Sequence, residues 1–152
     1  MSTTLAPPAS ARPTLSAAQI RNRAAFRNLT LWTLQGWVAM FFVAAGYAKL
    51  TESIPNLTAL MNWPEMVSES LVRGIGIVEI ALALGMIAPL MSWTLGRWPL
   101  LVSTVGLLAI EVVMLTVHAV GMDAGAAITN VILIAITLPV LWLRARQARQ
   151  GR

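Results

Sequence analysis

The sequence predicts an all-α membrane protein, a bundle of four transmembrane helices with both termini cytoplasmic. Three observations predict it. Of the 152 residues, 57% are hydrophobic and only 11% charged, whereas about a quarter are charged in an ordinary globular domain. Four apolar runs, residues 29–48, 71–91, 99–120 and 124–143, stand out along the chain. At about 1.5 Å per helical residue, a run of about twenty crosses the hydrocarbon layer, about 30 Å thick. The charges, finally, separate by sign between alternate connections.

Residues 1–28 are rich in Pro, Ser, Thr and Ala and carry Arg12, Arg21, Arg23 and Arg27. The first basic residue comes late and the next apolar run is of spanning length, unlike a signal peptide. A cytoplasmic tail is expected, disordered to about Pro13, then a short interfacial helix over residues 16–27 with Ser16 as N-cap. In the first span, residues 29–48, Trp32 and Trp37 lie toward one end, with Tyr47 and then Lys49 at the other. Aromatic rings favour the headgroup level and Lys snorkels to it, so these read as interface anchors. Phe42, Gly46 and Lys49 share one helical face at i, i+4, i+7.

Residues 51–70, with Pro55, Asn56, Pro64 and three glutamates, are too polar to span. Asn56 is expected to cap a surface helix over residues 57–62, with Trp63 dipping into the interface. The second span, residues 71–91, holds Glu79 about a third of the way along and Pro89 near its exit. Residues 92–98 read as a short connection carrying Arg97 between Trp93 and Trp98, and Pro99 suits the first turn of the third span, residues 99–120. That span holds Glu111 and His118, seven apart and nearly on one face, with Met114 between. A tight turn over residues 121–125 leads to the fourth span, residues 124–143, with Asn130 and a kink candidate, Pro139. Residues 144–152 form a basic tail.

Topology follows from charge. The N-terminal tail, the second connection (Arg97) and the C-terminal tail (Arg144, Arg146, Arg149, Arg152) hold no acid, whereas the first and third connections hold Glu52, Glu65, Glu69 and Asp123. The positive-inside rule then places both termini and the second connection in the cytoplasm, an alternation that four spans require. The net charge of +5 sits at the ends of apolar runs and forms no stripe, so membrane lipids rather than nucleic acid are the expected counter-charge. The chain has no cysteine and one histidine, which excludes thiol and iron–sulfur chemistry and leaves no expectation of a haem or a metal site.

On that topology the embedded polar groups gather in one layer. Glu79, Glu111, His118 and Asn130 fall in the outer half of the bundle, down to roughly 9–14 Å, with Lys49 and Arg73 at the rim. The inner half is expected to hold no charged group, only Gln35, Ser103, Thr104 and Thr137. Alone, Lys49 and Arg73 read as anchors, His118 as a surface imidazole and Asn130 as an interhelical hydrogen-bond partner. The two acids differ: an ionisable group at the helix centre costs about 2.5–3.5 kcal/mol by insertion scales. They either pair with Lys49 and Arg73 or hold protons. With His118 at the mouth they form a candidate proton path, or the layer grips a polar head group while the apolar inner half holds a tail.

No Walker A, G-x-S-x-G or H-E-x-x-H motif is present, and no residue set identifies a catalytic reaction. Gly74-Ile75-Gly76 signals close packing, and Ala81-x-x-x-Gly85 suits close helix packing or a homodimer. The phrase Gly46-Tyr47-Ala48-Lys49-Leu50 closing the first span, a polar loop with Trp63, Gly74-Ile75-Gly76-Ile77-Val78-Glu79 opening the second, and His118 near the end of the third together resemble the DoxX family. The resemblance covers residues 29–143 and implies a four-helix bacterial inner-membrane protein. It matches Lys49 and Glu79; Glu111 and Asn130 are singled out by depth alone. The family is named for a subunit of an oxidoreductase that passes electrons to quinone. The leading expectation is therefore a membrane subunit of a redox or quinone-linked complex, partnered by redox-complex subunits, with a diffusible quinone and no covalently bound cofactor. A non-catalytic scaffold is the alternative, ahead of a small transporter, for which four spans without an evident repeat are few.

Overall fold

A computed structural model describes residues 16–150; the tail expected to be disordered to about Pro13 lies outside them. The described residues form five helices, α1 (Ala17–Thr51), α2 (Ile54–Met61), α3 (Glu69–Ile87), α4 (Trp93–Val120) and α5 (Ala124–Arg149), with single 3-10 turns at Pro64–Met66 and Ala88–Leu90. Among the described residues there is no strand. All but α2 are long and apolar enough to cross a membrane. The fold is thus the four-helix membrane bundle that the apolar runs predicted.

Buried positions explain how the four helices fit. In α1 they include Leu31, Gln35, Val38, Phe42, Gly46 and Lys49; in α3, Val72, Gly76, Glu79, Ala83 and Met86; in α5, Asn130, Leu133, Thr137, Val140 and Arg144. These are steps of three and four, the spacing of helices packed at shallow angles. α1 lies on α3, α3 on α4, α4 on α5, and α5 closes back on α1. The remaining faces carry exposed Val, Leu and Ile side chains, as a surface against acyl chains requires. A hydrogen bond from Arg144 to Asn28 shows that the N-terminal part of α1 and the C-terminal part of α5 meet at one end, here the terminal end. The opposite, loop end carries α2 and the α4–α5 turn.

Several boundaries differ from expectation for local reasons. Ser16 does cap α1, its hydroxyl accepting the Gln19 N–H at 3.2 Å while Gln19 Oε1 accepts the Ser16 N–H at 2.8 Å, a reciprocal box. The expected separate interfacial helix, however, runs straight into the first span, because residues 16–28 contain no Gly or Pro. Asn56 is not the cap of α2. Ser53 is, since Pro55 lacks an N–H and fits the first turn, so the helix begins before it. The expected connection over residues 92–98 is already α4, with Pro99 in its second turn. Gly96 lies against the Ala88–Pro89 backbone with no room for a Cβ, which seats the start of α4 on the end of α3. The basic tail is helical to Arg149, as Arg, Ala and Gln favour.

Candidate functional site

The crossing of α1 and α3 is set by two glycines. A Cβ placed on Gly46 would lie 2.6 Å from Gly76 O, and one on Gly76 would lie 2.8 Å from Gly46 O. Helical side chains lean toward their own N-terminus. In this antiparallel pair, Lys49, one turn beyond Gly46, and Glu79, one turn beyond Gly76, therefore lean toward one another. Lys49 Nζ donates to Glu79 Oε2 at 2.8 Å and Oε1 at 3.0 Å, with Lys49 4% and Glu79 2% exposed. Of the two readings of Lys49, rim anchor or partner of an embedded acid, the structure shows the second, half of a buried ion pair. Close backbone approach leaves the lysine no route outward past α3.

The pair forms part of the wall of a cavity of about 550 Å³ at the loop end. His118 and Asn130 line it too, while Phe41, Phe42, Met114 and Leu133 make its apolar sides and Met61 and Trp63 of the α2 segment lie over it. An ammonium has three N–H groups and, among the described residues, only Glu79 accepts from this one, so donor capacity remains. Asn130 makes no interhelical bond among the described residues; its amide donates to Ala126 O, 2.8 Å away in its own helix.

Asp123, unremarked as a site residue in the sequence, ties the mouth together. It caps α5, Oδ1 accepting the Ala126 N–H at 3.1 Å, while Oδ2 accepts from Asn62 Nδ2 at 2.8 Å and lies 3.5 Å from His118 Nδ1. The Ala126 N–H chiefly, then Asn62, holds its carboxyl below the usual carboxylate range. Asn62 adopts a φ of 60°, which asparagine tolerates, and this turn aims its amide at Asp123. An acid just before an apolar run was the available signal.

Two predicted members lie apart from the cavity wall. Arg73 reaches neither embedded acid. It bonds Glu69 Oε1 at 2.8 Å and the main-chain oxygens of Lys49 and Glu52, closing the C-terminal end of α1, where carbonyls lack helical donors. Glu111 is fully buried deeper between α4 and α5, its Oε1 accepting from Thr137 Oγ1 at 2.7 Å. Among the described residues its Oε2 has no partner, and no cation joins it. Lys49 is paired with Glu79, and Arg73 with Glu69 and the backbone.

The model of the DoxX-like family matches residues 33–140. The chain belongs to the DoxX-like family. No curated protein and no solved structure matches it. The matched span of this DoxX-like protein includes Lys49, Glu79, Glu111, His118 and Asn130.

The terminal half of this DoxX-like bundle, expected to hold only neutral polar groups, also buries a charge beside Gln35. Arg144, assigned by sequence to the tail, is 3% exposed. Its Nε donates to Gln35 Oε1 at 3.0 Å and its Nη1 to Asn28 Oδ1 at 3.1 Å and Gln147 Oε1 at 2.9 Å. The trace lay in the spacing: Asn130, Thr137 and Arg144 recur every seven residues, as do Gln35, Phe42 and Lys49. Gly85 of the small-residue motif packs within the chain, against Ser103.

Proposed function

We propose that this protein is a membrane subunit of a quinone-linked redox system and that the loop-end cavity takes the quinone head. The observation that carries this reading is a buried Lys49–Glu79 pair with donor capacity to spare, set in the wall of a cavity whose other sides are aromatic and aliphatic. Quinone carbonyls are acceptors without charge. One takes a hydrogen bond from the Lys49 ammonium and another from His118 or the Asn130 amide, while the ring rests against Phe41 and Phe42. Reduction of a quinone to a quinol consumes two electrons and two protons. The electrons would come from a partner subunit, and His118, beside Asp123 at the mouth, would relay the protons one at a time from the surrounding water.

Thermal unfolding in mild detergent tests this. Short-chain ubiquinone or menaquinone analogues should raise the Tm of the wild-type protein, since ligand at 100 times Kd adds about 2.7 kcal/mol. Glu79→Gln should abolish the rise. No rise with any analogue would overturn the reading. The scaffold alternative draws on the mutual satisfaction of Lys49 and Glu79, and it predicts co-purifying partner proteins that survive Glu79→Gln.

We further propose that the terminal end faces the cytoplasm of a bacterial inner membrane, because the arginines gather there. The chain lacks cysteine, so single-cysteine labelling reads cleanly. Asn56→Cys and Met122→Cys should react with an impermeant maleimide from outside the membrane; reaction from the cytoplasmic side alone would reverse the topology.

A further inference from the structure

The terminal end holds a second buried charge that the quinone site does not use. Arg144 is enclosed by neutral groups: the amide oxygens of Gln35, Asn28 and Gln147, and the rings of Trp32 and Trp93, whose centroids lie 4.9 Å and 5.7 Å from its Cζ. Its Nη2 has no hydrogen-bond partner among the described residues. The chain has only six acidic residues. Glu52, Glu65, Glu69 and Asp123 are at the loop end, Glu79 is paired with Lys49, and Glu111 is bonded to Thr137. Buried charges are normally neutralised by a partner, and among the described residues no acidic group pairs with Arg144.

A groove of about 430 Å³ opens between α1 and α5 directly beside Arg144. Arg27, Gln147 and Gln150 stand along it, Trp32 and Trp93 form its apolar side, and no acidic residue lines it. Arg27 is exposed and has no ion-pair partner among the described residues. The groove lies where the polar extensions of α1 and α5 leave the apolar spans. That is the level at which headgroup phosphates sit. A guanidinium suits a phosphate because its forked donors match two oxygens at once, and the glutamine amides add donors beside it.

We propose that this groove binds a phosphate group, carried by an anionic phospholipid headgroup. Arg27 and the glutamine amides meet the phosphate oxygens, and the buried Arg144 charge attracts them from beneath. Bound there, the anion also answers the charge that the described residues leave uncompensated where α1 and α5 join.

The test uses the full chain in mild detergent, with phosphatidylglycerol and phosphatidylcholine titrated separately and retention read by native mass spectrometry. Phosphatidylglycerol should bind more tightly than phosphatidylcholine. Arg27→Gln should weaken that binding on the order of tenfold, the loss of one charge-assisted contact. Arg149→Gln removes the same charge two residues from Gln147, on the opposite face of α5, and should change little. Arg144→Gln should weaken binding as well, and if that variant does not fold, the Arg27 comparison still decides. Inorganic phosphate that displaces the lipid would identify free phosphate as a second source of the same chemistry, and failure to displace would fix the ligand as the lipid. Equal loss in Arg27→Gln and Arg149→Gln, or no loss in Arg27→Gln, would overturn the site in favour of diffuse attraction to a basic surface.

Discussion

Exchange of Lys49 for methionine, with Glu79 in place, is expected to destabilise the bundle by about 3–5 kcal/mol, read as a lowered midpoint in denaturing-detergent titration. The loss exceeds the worth of the pair itself, because it strands a carboxylate that is 2% exposed with no other cation bonded to it. Arg73, the next basic residue along, is engaged with Glu69 and the end of α1. Replacing both partners by apolar groups removes the stranded charge, so Lys49→Met/Glu79→Leu should recover most of the stability. It should not recover quinone-dependent stabilisation, if the ammonium is what meets the carbonyl. This divergence separates architecture from function: a pair kept only for packing would leave the double variant intact in both measurements. A double variant no more stable than Lys49→Met would instead show that the site tolerates no apolar replacement.

How far the sequence carried depends on the kind of signal involved. Spans are written in hydropathy, a local sum that needs no partner. Depth singled out Glu79 for the same reason, since a carboxylate within an apolar run is costly wherever its neighbours lie. What depth does not state is direction. Lys49 lies at the end of its span and so read as an anchor, although the backward lean of helical side chains turns it toward Glu79. Arg144 was misread by the same logic, because it opens a basic tail and only its seven-residue spacing from Thr137 reveals that it faces inward. Arg73 separates from the cavity through competing acceptors, the Glu69 carboxylate and the Lys49 and Glu52 carbonyls, and Glu111 by lying deeper against Thr137, none of which a hydropathy profile contains. The caps at Ser53 and Asp123 were legible in principle, since each residue precedes its helix with an oxygen to offer.

The glycine crossing makes the second strong prediction. Gly46→Ala is expected to cost about 1–3 kcal/mol, the range for overpacking, and Gly46→Val more. The reason is the identity of the obstacle. The new Cβ would meet a backbone oxygen, Gly76 O at 2.6 Å, and no rotamer change relieves that, so the helices must part. Gly76→Ala meets the reciprocal contact at Gly46 O, 2.8 Å away. Once one Cβ has separated the helices the second finds room, so the double Ala variant should lose less than the sum of the two singles. Gly36→Ala is the control, with nothing within 4 Å of its added Cβ, and should be neutral or slightly stabilising. Parting α1 from α3 also draws Lys49 away from Glu79. Gly46→Ala should therefore lower ligand-dependent stabilisation even at temperatures where the bundle remains folded, whereas Gly36→Ala should leave it unchanged. If Gly46→Ala proves as stable as Gly36→Ala, the helices do not approach this closely, and the lean that brings lysine to glutamate loses its geometric cause.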